Sequence, residues 1–176
     1  MKKIMIGFLM LSAVNTVTAF DNRDAVNLVK KFSSTVACSI NDDSYKVVKT
    51  RGEKGIDESD DQYVVYWEGD LECFGGRGTI NPVFSVVLIS GFNDPVVLTK
   101  IKQPRLPLVC IDYMEKEGEL LNVYGIAYGS NDNQGNPNKK MKFSLNLDDM
   151  KGVFSVVSKS EDQKMNISNK CVGRVR

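Results

Sequence analysis

The sequence predicts a mainly β domain of the α+β class: an antiparallel sheet or small barrel of seven or eight strands, one N-terminal helix, and disulfide staples. Three observations predict it. One stretch near the start repeats apolar residues at helical spacing. After it come short β-branched and aromatic runs at meander spacing, bounded by Gly, Pro, Asn and Asp, with no strand-helix-strand alternation. Cys38, Cys73, Cys110 and Cys171 are even in number and lack the C-x-x-C spacing of redox or zinc sites.

The elements follow in order. Lys2 and Lys3 precede an apolar run from Ile4 to Val14, and small side chains lead to Ala19. This is the pattern of a secretory signal peptide over residues 1–19, its apolar run shorter than the roughly 20 residues a spanning helix needs. Residues 20–176 are then expected as a single globular β-rich domain without a membrane span, placed in the periplasm or secreted. Asp21 is an N-cap candidate with Asp24 three residues on, and Ala25, Leu28, Val29, Phe32 and Val36 mark one helical face. Strand character follows at Tyr45–Thr50, and Gly52–Asp61 reads as a charged loop. Tyr63-Val64-Val65-Tyr66-Trp67 is the strongest β signal and is expected as a central strand ending at Gly69 and Asp70. Gly75-Gly76-Arg77-Gly78 reads as the turn of a hairpin to Val83–Ile89. Further strands are expected at Val96–Thr99, Leu108–Ile111, Leu120–Tyr128, Met141–Leu147 and Val153–Val157, with an Asn- and Gly-rich loop at Ser130–Asn138.

Composition narrows the function. The chain has 176 residues, with 23 Lys and Arg against 22 Asp and Glu; losing Lys2 and Lys3 would leave 21 against 22. So balanced a charge provides no global field for nucleic acid. Histidine is absent, which removes imidazole-based triads and imidazole zinc sites. An oxidising compartment makes two structural disulfides the expected use of the cysteines. Four cysteines allow three pairings; Cys38 with Cys73 and Cys110 with Cys171 tie the segments nearest in sequence.

Candidate chemistry is sparse. The glycines around Arg77 lack the Lys-Ser/Thr of a phosphate loop, so they read as a tight turn, with Arg77 a partner contact at its tip. Asp57, Glu58, Asp60 and Asp61 form an acidic cluster suited to a basic partner, and neither this cluster nor the Asp132 loop has the register of a calcium-binding EF-hand. No cofactor or metal is expected. Trp67, among the aromatics of the best strands, is a further binding candidate. With 22 acidic residues, a carboxylate pair for glycan hydrolysis is always available, so a carboxylate-dependent glycan or peptidoglycan hydrolase stands as the alternative. A subunit of an envelope assembly, recognisable by an apolar face or free strand edge, is the third reading.

The segment Tyr66–Thr79, in its pattern W-x-G-D-x-x-C-x-G-G-x-G-T, resembles small uncharacterised exported proteins of Gram-negative bacteria. In general plan the chain is similar to periplasmic immunity proteins and lysozyme inhibitors, although Tyr128-Gly129-Ser130-Asn131 reverses the order of an SG-x-x-Y inhibitor loop. That plan implies a soluble binding protein without catalytic activity, acting as an immunity protein or inhibitor. Its partner would be a secreted toxin or cell-wall hydrolase; the contacts expected from the residues themselves are Arg77, Trp67 and the loop of Asp57, Glu58, Asp60 and Asp61.

Overall fold

The computed structural model describes residues 19–52, 61–73, 80–90, 94–132, 136–148, 151–168 and 171. The expected signal segment therefore lies almost wholly outside the described residues. Helix α1 (Asn22–Val36) starts where predicted, because Asp21 and Asp24 form a capping box. The Asp21 carboxylate accepts from the Arg23 and Asp24 amides at 2.7 and 3.0 Å, while the Asp24 side chain accepts from the Asp21 amide. Ala25, Val29 and Ser33 form its buried stripe.

Eight strands follow: β1 (Lys46–Arg51), β2 (Gln62–Gly69), β3 (Asn81–Leu88), β4 (Val96–Val97), β5 (Cys110–Glu117), β6 (Leu120–Ala127), β7 (Lys139–Asp148) and β8 (Val153–Glu161). They form two four-stranded antiparallel meanders, β1-β2-β3-β4 and β5-β6-β7-β8, rather than one sheet or a closed barrel. β5 runs six residues past the expected end at Ile111, because its second half is charged and faces outward. It also carries a bulge between Ile111 and Tyr113. Opposite the bulge only glycine fits, since a Cβ on Gly125 would lie 2.1 Å from the Cys110 carbonyl oxygen.

The layers follow from alternation along β2 and β3. Tyr63, Val65, Trp67, Val83 and Val87 meet Ala25 and Val29 of α1. The intervening Val64, Tyr66, Phe84 and Val86 meet Ile111, Met114, Leu121, Val123, Phe143, Leu145 and Phe154 of the second sheet. The first sheet is thus covered on both faces, which is why β2 reads as an unbroken apolar run. Each fully buried large apolar side chain contributes roughly 1.5–3 kcal/mol. The outer edge of β3 is closed by β4 and by Gln103, whose amide accepts from the Phe84 N–H at 2.7 Å and donates to the Phe84 carbonyl at 3.0 Å.

The outer face of the second sheet is polar and aromatic. Tyr113 and Tyr124 stack at 4.3 Å, Tyr124 donates to Glu115, and Lys142 pairs with Glu117 at 3.2 Å. Burial raises the pKa of both tyrosines, and Glu115 adds to the effect. Four carboxyls are held below their ordinary range by hydrogen bonds. The donors are the Asp24 amide for Asp21, Asn122 for Glu117, the Gly129 amide for Asp132 and Lys139 for Glu161. In acid the unfolded chain binds protons first at these carboxyls, so their contribution is full above the unfolded pKa of about 4 and lost as pH falls through the lower folded values. The raised tyrosines act in the opposite sense: their contribution is full below the unfolded pKa of about 10 and lost as pH rises through the folded values. Thermal unfolding followed across pH is expected to show Tm falling on both sides. A Tm that stays flat from pH 5 to pH 2 would contradict the acidic half.

Candidate functional site

The segment Trp67–Cys73 is a structural clamp. Trp67 has no exposed surface; its indole N–H donates to Ser85 Oγ at 2.9 Å and its ring packs beneath α1. This corrects the expectation of Trp67 as a partner contact: its position on β2 aims it at the helix, not at solvent. Gly69 follows because a Cβ there would lie 2.4 Å from the Trp67 ring. Buried Asp70 then ties the segment after α1 to the turn after β2. Its carbonyl accepts from Cys38 N–H, its own N–H donates to the Ser39 carbonyl and its carboxylate accepts from Cys73 N–H, each at 2.9 Å. The Cys38–Cys73 disulfide closes the clamp, and Cys73 itself takes a positive φ of 59°.

The second disulfide, Cys110–Cys171, joins the first residue of β5 to the C-terminal segment. That segment lies on the outer face of the second sheet, where Ile167 and Cys171 pack with Cys110, Tyr124 and Ile126. Lys140 Nζ holds it by donating to the carbonyls of Gln163 and Met165 at 3.1 and 2.7 Å, and Asp112 accepts from the amide and hydroxyl of Ser168.

Both bridges therefore stand at the same end of the two-sheet body, where β2 and β6 finish and β3 and β5 begin. Two clefts open there, on either side of Leu108 and Val109. The first, about 420 Å³, is lined by Asn41, Asp43, Tyr66, Glu68, Ile80 and Pro82 as well as those two residues. Glu68 is held in it from two sides: Tyr66 Oη and Asn41 Nδ2 each donate to one of its oxygens at 2.6 Å. The second, about 460 Å³, is mainly apolar; Pro107, Ala127, Tyr128, Met141 and Phe143 line it, and Lys139 and Lys159 flank it. Its size falls in the range of small-ligand and side-chain pockets.

The apolar side chains left exposed gather at this end. Tyr128 is 45% exposed, Leu71 43%, Ile80 39%, Val36 38% and Val109 36%. Each adjoins a strand end or a disulfide: Val36 closes α1 before Cys38, and Ile80, Val109 and Tyr128 directly flank β3, β5 and β6. The other exposed large apolar residues, Val96, Val156 and Val157, lie on the short β4 and on β8 at the edge of its sheet.

Of the residues singled out in the sequence, Asp61 is buried, and its carboxylate forms an ion pair with Lys49 at 2.6 Å. It belongs to the sheet, as the closing residue before β2, and is not part of an exposed acidic surface. Asp57, Glu58, Asp60 and Arg77 lie outside the described residues. Val109, Tyr128, Lys139 and Lys159 escaped the sequence reading. For Val109, Tyr128 and Lys139 the one signal was an apolar or basic residue at or beside a strand terminus, whereas Lys159 lies within β8. Among the described residues no group of three or more His, Cys, Asp or Glu side chains gathers in a metal-holding arrangement, and no helix is long and apolar enough to cross a membrane. A scan against protein families and searches of curated proteins and of solved structures found no match to this chain.

Proposed function

We propose that this chain is an exported, periplasmic protein-binding protein, an immunity protein or inhibitor that neutralises a toxic hydrolase directed at the cell wall. The disulfide-clamped end serves as its contact surface. The observation that carries the reading is the collection of Val36, Leu71, Ile80, Val109 and Tyr128, all exposed, around two disulfides at one end of the body. Apolar and aromatic side chains ringed by polar groups are what a protein interface presents. A surface held rigid by covalent bridges loses little freedom on association, so more of its contact energy appears as affinity.

The test is a search among secreted and periplasmic hydrolases for one whose activity the oxidised protein suppresses at equal molar ratio, followed by Val109→Asp and Tyr128→Ala. Both side chains are exposed, so unfolding free energy should stay within about 0.5 kcal/mol of the parent. Inhibition should weaken at least tenfold. Variants that inhibit as well as the parent would remove this end from the contact.

One observation favours the enzymatic alternative, namely that Asp43 and Glu68 line the same cleft. A carboxylate-dependent glycan hydrolase needs two carboxyls facing each other across its substrate. That reading requires turnover of peptidoglycan or glycan by the protein alone, abolished in Glu68→Gln. Against it, both oxygens of Glu68 accept hydrogen bonds from neighbouring side chains, an arrangement that anchors the Asn41 loop.

A further inference from the structure

The two clefts differ in charge. Among the described residues, the one lined by Asn41, Tyr66 and Glu68 carries acidic groups and no basic one, whereas the one beside Tyr128 carries Lys139 and Lys159 and no acidic one. Lys139 is already paired with Glu161 at 2.8 Å. Lys159 is exposed and has no ion pair among the described residues. Between these ammonium groups the lining is hydrocarbon and aromatic, from Pro107, Leu108, Val109, Ala127, Met141 and Phe143.

From this geometry we infer that the cleft beside Tyr128 receives an acidic segment of a protein partner, one apolar side chain entering against Val109 and Met141 and a neighbouring carboxylate meeting Lys159. The inference rests on the protein-binding reading above and names the chemistry of the partner. Charge complementarity selects the anion, since a carboxylate beside Lys159, an exposed ammonium with no ion pair among the described residues, gains an attraction that low salt strengthens. The protein-binding reading selects a polypeptide over a lipid: exposed Val109 lines this cleft and stands at the same end as Ile80 and Leu71, so a segment seated in the cleft is continuous with the proposed contact surface.

The test uses nuclear magnetic resonance on the isotopically labelled, oxidised protein. It is titrated with a pentapeptide, acetyl-Gly-Trp-Asp-Gly-Gly amide, with its Trp-Asn counterpart, and with dodecanoate. Shifts are expected at Val109, Ala127, Tyr128 and Met141, with the Asp peptide binding at least fivefold more tightly than the Asn peptide at low salt. Lys159→Ala should erase that preference, Lys159→Arg should keep it and Lys159→Glu should invert it. Equal binding of the two peptides, shifts confined to other surfaces, or saturation by dodecanoate at lower concentration than the peptide would each overturn the inference. Failure of the broader reading has a different signature. If Val109→Asp and Tyr128→Ala leave hydrolase inhibition intact while the peptide preference holds, the proposed contact end is wrong and the acidic-peptide cleft stands. If those variants abolish inhibition while the peptides bind alike, this inference alone is overturned.

Discussion

Replacing Cys110 and Cys171 together by serine is expected to lower the unfolding free energy by about 4 kcal/mol, and replacing Cys38 and Cys73 by a few tenths less. The difference comes from the loops closed: the bridges span sequence separations of 61 and 35 residues, and a cross-link restrains the unfolded chain more as its loop lengthens. The two variants should also differ in what they release. Without Cys110–Cys171, Ile167 loses the covalent tether that holds it over Tyr124 and Ile126, although Lys140 and Asp112 still grip the segment. Without Cys38–Cys73, the segment after α1 stays joined to the end of β2 by hydrogen bonds only, those of Asp70 with Cys38 and Ser39 and those of Glu68 with Asn41 and Ser44. Urea unfolding of the oxidised parent and of each variant reads the effect. A loss below about 1 kcal/mol in both would mean that the bridges are not what holds this end in shape, and the preorganisation argued for the interface would go with them.

Trp67→Ala is expected to cost about 3–5 kcal/mol, the range for truncating a large buried aromatic side chain. The ring is fully enclosed between α1 and the first sheet, and its loss leaves both a cavity and a buried Ser85 hydroxyl without its indole partner. Trp67→Phe keeps most of the volume and loses the hydrogen bond, so about 1–3 kcal/mol is expected. As the chain has a single tryptophan, its fluorescence in the parent reports directly on this site and should shift to longer wavelength on unfolding. Circular dichroism serves for the variants. Trp67→Ala should weaken partner binding only in proportion to the unfolded fraction it creates, whereas Tyr128→Ala should weaken binding in a fully folded protein. A Trp67→Ala variant as stable as the parent would contradict the packing of the ring.

The legible part of the fold was its local chemistry. Helix α1 announced itself by Asp21, Asp24 and an apolar stripe, because a capping box and a 3.6-residue period are written within one segment. The strands were equally readable where side chains alternate or run apolar, as in β2 and β7. β5 was cut short in the sequence reading because Glu115, Lys116 and Glu117 face solvent, and an exposed half-strand has little hydrophobic signature. The W-x-G-D-x-x-C pattern was visible as a pattern. Its meaning, a clamp in which Gly69 makes room for Trp67 and Asp70 joins the Cys38–Ser39 segment to the turn that ends at Cys73, depends on contacts across about 30 residues of chain.

Sequence alone therefore determined which segments are helix or strand and that the strands are antiparallel, since these rest on patterns among residues close in sequence, and its four cysteines supplied the ingredients for two bridges. Only the tertiary structure decided how the eight strands divide into two sheets and that both faces of β2 are covered. It placed Trp67 and Asp61 inside and gathered Ile80, Val109, Tyr128, Lys139 and Lys159 at one end. The physical reason is that a period of two residues tells which side chains share a face but not what packs on it. That choice is made by burial between segments far apart in the chain, and the surface left over when the burial is complete is where a partner finds its contacts.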